Sequence, residues 1–153
     1  MHVRSLSVFA DYFQFYLWDA GTNPRAPVHY APPDGERRLK TGPNGVAILT
    51  ARNMTVPVTV EIVDAEPSLD IKAWDHVVEA SLHVPTGRLQ LHECTGSAVA
   101  DFEIVPGWYR VRSCYGGLDS IDTTGLNGND HYHLVLWPAP YADVRVLKQA
   151  EPR

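Results

Sequence analysis

The sequence has few of the residues that carry recognisable chemistry. Only two cysteines, Cys94 and Cys114, occur in 153 residues, and they form neither a CxxC pair nor a cluster with histidine. This spacing excludes a zinc knuckle. Both cysteines fall in expected strands, and because no export signal is evident we expect them to be free thiols.

Long apolar runs and an excess of basic residues are also missing. No stretch approaches the roughly 20 apolar residues of a transmembrane helix, and the first residues lack the apolar core of a signal peptide. We therefore expect a cytoplasmic protein that binds no membrane. The net charge is −5, which is the wrong sign for the phosphate backbone, so we expect no direct binding to nucleic acid.

Catalytic motifs are missing as well. The chain has neither a GxSxG nucleophile elbow nor a GxxxxGK[ST] phosphate loop. We therefore predict no catalytic residue and no cofactor, and a non-enzymatic protein is favoured over an enzyme. A composition of 44% hydrophobic and 10% aromatic residues excludes a disordered chain, and this length fits one domain spanning residues 1–153.

The sequence is dominated by alternation of apolar and polar residues. This period of two predicts strands with one buried and one solvated face, and Pro-Gly and Asn-Gly turns separate them at intervals of roughly 8–12 residues. The fold predicted is all-β: a single-domain antiparallel β-sandwich or jelly-roll-like barrel of about 9–10 strands. On the solvated faces we expect Arg110 and Arg112 to pair across strands with Asp101 and Glu103.

Two segments interrupt the alternation. Residues 19–45 carry five prolines and predict a long irregular loop, of a length that is usually functional or disordered. Residues 115–130, rich in Gly and Asp, predict a second loop. It contains Asp119 and Asp122 and ends at Asp130, and these three aspartates are candidate binding residues.

His131 and His133 are the only metal-ligand candidates that the sequence suggests. Two residues apart on a strand, they share a face and could converge on one ion. Gly125 followed after five residues by His-x-His resembles the first half of a cupin motif. The glutamate that should follow is absent, and no later histidine exists, so we predict no metal site and place both histidines on the solvated face.

The stretch YFQFYLWD, residues 12–19, supplies the other candidate binding residues. Alternation puts Tyr12, Tyr16 and Trp18 on one face, while Phe13, Phe15 and Leu17 face the core. Exposed Tyr and Trp are preferred at protein interfaces. Two interpretations stay open: the aromatic face binds a partner, or the proline-rich loop or another sheet covers it.

Three stretches, YFQFYL, HVPTGRLQLHE and DFEIVPGWYRVR, resemble the competence protein J family of bacterial inhibitors of the DNA-entry nuclease. The resemblance implies an all-β protein that binds a nuclease, and it implies no catalytic residue.

The leading functional hypothesis is a bacterial protein-binding module, a nuclease inhibitor or an immunity-like protein, with a basic nuclease as partner. One alternative is a small cupin-like metal-binding enzyme that uses His131 and His133. Another is a sandwich that binds a carbohydrate or a small ligand.

Overall fold

The computed structural model describes residues 2–151, which fold into two β-sheets packed face to face. Eleven strands and one short helix are formed within these residues: β1 His2–Phe9, β2 Gln14–Asp19, α1 Pro32–Arg37, β3 Leu39–Gly42, β4 Gly45–Leu49, β5 Thr55–Ile62, β6 His76–Val84, β7 Arg88–Glu93, β8 Ala98–Glu103, β9 Gly107–Gly116, β10 His131–Pro138 and β11 Arg145–Lys148. The remaining helical pieces are single 3-10 turns at Asp11–Phe13, Ala20–Thr22, Ile71–Ala73 and Leu118–Ser120. None of the helices in this part of the chain is long and apolar enough to cross a membrane.

The predicted all-β sandwich is confirmed, with one difference in strand direction. The six-stranded sheet has the order β1-β5-β10-β9-β6-β11, and the five-stranded sheet has the order β3-β4-β2-β7-β8. Strands β5 and β10 pair in parallel, whereas every other pairing found between described residues is antiparallel. The antiparallel arrangement that the turns predicted differs at this one pair. Strand β10 is antiparallel to β9 and β9 is antiparallel to β6, so the parallel pair arises because residues 63–75 carry the chain from the end of β5 back along the sheet to the start of β6.

A hydrophobic cluster fills the space between the sheets, and its members are the apolar residues that alternation predicted. Phe15 and Leu17 of β2 are fully buried, as are Leu134 and Leu136 of β10. The wider set includes Val58, Val60, Val78, Ala80, Leu82, Leu89, Leu91, Phe102, Tyr109 and Val111. Burial of side chains of this size contributes about 1.5–3 kcal/mol each, so the period-two pattern determines which face of each strand packs inward.

The segment predicted as a long irregular loop over residues 19–45 contains ordered structure. It holds the helix α1, the strand β3 and the turn into β4. Residues 42–45, GPNG, contain one of the predicted Asn-Gly turns. This hairpin turn is confirmed, since β3 and β4 pair up to Gly42 and Gly45. The two central residues of the turn are Pro43 and Asn44, and Pro43 supplies the preset φ that a turn needs at this place.

The solvated face predicted for Arg110 and Arg112 is wrong. Both side chains are buried, and Asp101 and Glu103 lie on β8 in the other sheet. The two arginines instead share Glu79 of β6. They also donate to the carbonyl groups of Pro67, Ala142 and Asp143, so the irregular segments 63–75 and 139–144 cover this face of the sheet.

His76 joins the C-terminal segment to α1. Its Nδ1 accepts a hydrogen bond from the backbone N–H of Ala150 at 3.0 Å, so its Nε2–H donates to the carbonyl of Arg37 at 2.8 Å. The ring is fully buried against Tyr115. Burial, together with the nearby charge of Arg38, lowers the pKa of His76. The folded state therefore holds this imidazole neutral.

Acidification is expected to lower the free energy of unfolding through His76. The lowered pKa means that the unfolded chain binds this proton more readily than the folded protein, so stability is lost as pH falls below the ordinary histidine pKa of about 6.5. Urea unfolding between pH 7.5 and pH 5 measures the effect. The slope with pH should shrink in His76→Gln and stay unchanged in His29→Gln, whose imidazole is exposed. An unaltered slope in His76→Gln would contradict this assignment.

Candidate protein-binding site

Four connections meet at one end of the sandwich, which we call the loop end. They are residues 10–13 between β1 and β2, residues 50–54 between β4 and β5, residues 94–97 between β7 and β8, and residues 117–130 between β9 and β10. The strand registers place them together, since Phe9 pairs with Thr55, Gln14 with Leu49, and Phe15 with Glu93. The sandwich therefore presents several side-chain-bearing loops on one surface.

The connection between β1 and β2 presents two aromatic side chains on a strained backbone. Tyr12 and Phe13 have φ values of 57° and 60°, in the left-handed region that costs a residue other than glycine about 1–2 kcal/mol. Neither ring gains burial in return, because Tyr12 is 67% exposed and Phe13 is 49% exposed. Strain of this kind persists where the surrounding structure imposes it, and it clusters at functional sites.

The neighbouring connections impose this conformation through backbone and side-chain hydrogen bonds. The N–H of Thr50 donates to the carbonyl of Phe13 at 2.9 Å, and the N–H of Ala10 donates to the carbonyl of Met54 at 3.0 Å. On the other side, the Asp11 carboxylate accepts from the Thr95 hydroxyl at 2.8 Å. Three hydrogen bonds to two neighbouring connections thus fix the backbone that holds the two rings outward.

Phe13 was predicted to lie in the core, and this prediction was wrong. Strand β2 begins only at Gln14, so the alternation that buries Phe15 and Leu17 does not extend back to Phe13. With Phe9, Tyr12 and Met54, Phe13 forms a set of exposed large apolar residues at the loop end, which we call the aromatic patch. Sequence reasoning missed Phe9, Phe13 and Met54, because alternation assigned Phe13 to the core and no pattern pointed to Phe9 or Met54.

Asp119 and Asp122 are exposed on the 117–130 connection, as the sequence suggested. The Asp122 carboxylate accepts hydrogen bonds from the side chains of Thr124 and Asn127. These bonds lower the pKa of Asp122 to about 2, so it carries its negative charge throughout the physiological pH range. Both aspartates add negative charge to the loop end.

Asp130, in contrast, does not lie on the surface. It is fully buried and accepts from Arg52 Nε at 2.5 Å and from the Tyr132 hydroxyl at 2.6 Å. Arg52 also donates to the carbonyl of Leu126. Asp130 therefore anchors the 117–130 connection to the 50–54 connection, and its expected exposure in the acidic loop was wrong.

Tyr16 and Trp18 lie together on the outer face of the five-stranded sheet, away from the loop end. Their rings stack at 5.1 Å. Residues 23–31, which we call the strap, line this face, and the Tyr30 hydroxyl donates to Gln14 at 2.5 Å. Tyr16 is consequently buried and Trp18 half-buried, so the interpretation in which the proline-rich loop covers this face holds for Tyr16.

His131 and His133 occupy the outer face of β10, while Tyr132 and Leu134 are buried, as predicted. The Trp74 ring lies 5.5 Å from the His131 ring and 5.8 Å from the His133 ring, and His133 Nε2 lies 3.2 Å from the Glu61 carboxylate. Within residues 2–151, no group of three or more His, Cys, Asp or Glu side chains is arranged to hold a metal ion.

Comparison with known proteins places the fold. No family model and no curated protein match the sequence. Among solved structures, ComJ from Bacillus subtilis, an inhibitor of the DNA-degrading activity of NucA, is similar with a TM-score of 0.67 and 13% identity, over 91% of this chain and 96% of ComJ. The chain has the fold of ComJ.

A second solved structure, described as crocagin biosynthetic gene J, is similar with a TM-score of 0.56 and 15% identity, over 92% of this chain and 100% of its own. The resemblance to the ComJ family that the three sequence stretches carry is thus confirmed at the level of the fold. The similarity to ComJ in three dimensions extends over 91% of the chain, which is more than the three sequence stretches cover.

Proposed function

We propose that this chain is a protein-binding module that inhibits a DNA nuclease, and that the loop end is its binding surface. The observation that carries the proposal is the aromatic patch, in which Tyr12 and Phe13 hold a strained backbone without burying their rings. Aromatic residues and Met are enriched in protein interfaces, and Tyr is enriched among the residues that dominate binding energy. The fold shared with ComJ supports a nuclease as the partner.

Electrostatics favour a basic partner. The chain carries a net charge of −5, and Asp119 and Asp122 lie exposed at the same end as the aromatic patch. Opposite charge on the two partners accelerates association without adding much to the final affinity. In this proposal the acidic side chains speed the encounter and the aromatic patch supplies the binding energy.

Capture from a lysate of the source organism tests the function directly. The immobilised protein should retain a DNA-degrading activity that elutes with salt, and the added protein should suppress that activity in a DNA-degradation assay. Purified NucA serves as a defined second probe. A column that retains no DNA-degrading activity, together with no inhibition of NucA, would contradict the proposal.

Removing the charge of Asp119 is expected to slow association with the captured nuclease a few-fold at low salt, with little effect on dissociation. Asp119→Asn keeps the shape of the side chain and leaves the hydrogen bonds of Asp122 in place. The matched control is Glu103→Gln, which removes an exposed charge from the opposite end of the sandwich. Surface plasmon resonance at two salt concentrations measures both rates, and equal association rates for the two variants would count against the loop end.

A further inference from the structure

A groove separate from the loop end lies between the strap and the outer face of the five-stranded sheet. Its volume is about 560 Å³, and its lining comes from β2, β3, β4 and the strap. Cavities of roughly 300–1,000 Å³ are the size that small molecules occupy. The strap crosses the sheet without filling the space beneath it.

The floor of the groove is open beside Trp18, because the residues of β3 and β4 next to that indole, Gly42 and Gly45, have no side chain. Across the sheet, Trp18 pairs with Gly45 and Tyr16 pairs with Ala47, and Gly42 faces Gly45 on the next strand. A Cβ at Gly45 would lie 2.9 Å from the Cβ of Trp18, so a larger residue does not fit beside that indole. The result is a flat, apolar floor next to two aromatic rings.

The aromatic wall has its polar atoms already engaged. The Trp18 indole N–H donates to Gln90 at 3.0 Å, and the Tyr16 hydroxyl lies 3.0 Å from Gln14 Oε1. Tyr16 is buried, so the half-buried Trp18 ring supplies the surface toward the groove. This surface offers stacking and dispersion contacts and no hydrogen bond. A flat ring is the ligand feature that such a wall and floor recognise.

The groove is lined by basic side chains and by no acidic one among the described residues. Arg25, His29 and Lys40 line it, and the described lining includes neither Asp nor Glu, although the whole chain is acidic. Lys40 is paired with Asp34 at 3.1 Å. The guanidinium of Arg25 has no hydrogen-bond or ion-pair partner among the described residues and is exposed.

We propose that this groove binds a small molecule that combines a flat ring with an anionic group. The ring lies on the floor at Gly42 and Gly45 beside Trp18, and a carboxylate or a phosphate meets Arg25 and Lys40. Arginine suits either anion, because its planar donors pair with two oxygens at once. The site is independent of the proposed nuclease contact, which uses the opposite end of β2.

Two matched ligand series distinguish the source of the anion. Naphthoate and benzoate are compared with their neutral amides, and adenosine and uridine monophosphates with their nucleosides, by ligand-observed NMR and calorimetry. At least one anionic series should bind, with its neutral counterparts about tenfold weaker or more. Arg25→Gln should weaken the anionic ligand by a similar factor, while Arg88→Gln, an exposed cation on β7 outside the groove, should leave it unchanged.

Filling the floor provides a second, steric test. A Cβ at Gly42 would meet only the Gly45 carbonyl oxygen, at 3.6 Å, so a side chain fits there and would project into the groove. Gly42→Leu should abolish binding while circular dichroism shows the native β-signal, and Arg25→Gln keeps the test valid if Gly42→Leu fails to fold. The proposal is overturned if neither series binds at millimolar concentration. It is equally overturned if the neutral analogues bind as tightly as the anions, or if binding survives Gly42→Leu.

Discussion

Replacing Glu79 by glutamine is expected to lower the free energy of unfolding by about 3–5 kcal/mol. The Glu79 carboxylate lies 2.9 Å from Arg112 Nε and 3.4 Å from Arg110 Nε, and all three side chains are buried. Glutamine keeps the size of the side chain but removes the charge, so the buried Arg110 loses its acidic partner and the buried Arg112 keeps only the exposed Glu66. Urea unfolding monitored by tryptophan fluorescence measures the change.

The matched control uses the same arginine. Glu66 also pairs with Arg112, at 3.4 Å, but its side chain is 67% exposed. Exposed ion pairs contribute about 0–1 kcal/mol, so Glu66→Gln should change the free energy of unfolding by no more than that. Equal destabilisation of the two variants would contradict the expectation that burial makes the ion pairs of Glu79 more important for stability than the ion pair of Glu66.

Replacing Tyr12 by asparagine is expected to weaken nuclease binding by about 2 kcal/mol or more, roughly thirtyfold, because exposed aromatic anchors dominate interface energy. The same change should leave the stability of the free protein unchanged or slightly higher. Asparagine tolerates the left-handed conformation better than tyrosine, and the ring of Tyr12 is too exposed to contribute much packing. Loss of binding without loss of stability distinguishes a binding residue from a structural one.

The matched control is Tyr141→Asn. Tyr141 is 63% exposed and lies against Trp108, at the end of the sandwich opposite the loop end. Its replacement removes a similar exposed ring from outside the proposed interface, so nuclease affinity should not change. Calorimetric titration of the captured nuclease against both variants, with thermal unfolding of each, provides the comparison.

The architecture could be predicted from the sequence to the extent that it follows from alternation. Alternation places every second residue of a strand on the same face, and it therefore predicts that Val58, Val60, Leu134 and Leu136 face the core, as they do. The direction of β10 did not follow, since local periodicity carries no information about which strand becomes a neighbour. The parallel β5–β10 pair depends on residues 63–75, which return the chain along the sheet between β5 and β6 and carry no periodic pattern that predicts this route.

Charged residues show where the pattern misleads. Arg110 and Arg112 alternate with apolar residues as solvated residues do, yet segments distant in sequence cover them. By sequence Asp130 belongs to an acidic loop, yet it is buried in an ion pair with Arg52, which is 78 residues away. Burial of a charge depends on a partner from elsewhere in the chain, so no local pattern reveals it.

Only part of the candidate binding site could be predicted from the sequence. Tyr12, Asp119 and Asp122 were selected as an exposed aromatic and exposed acids, and the fold brings the connections that carry them to one end. Phe13 was not selected, because its exposure follows from the positive φ of two successive residues. Backbone strain is a property of the three-dimensional structure, and the presence of a Tyr followed by a Phe in the sequence does not predict it.

The most direct test of the proposed function is a DNA-degradation assay with the captured nuclease and three forms of this protein. The wild type and Tyr141→Asn should suppress degradation at equal concentrations, whereas Tyr12→Asn, with an undiminished unfolding temperature, should need at least about thirtyfold more protein for the same suppression. Equal suppression by all three forms would contradict the assignment of the loop end as the inhibitory surface.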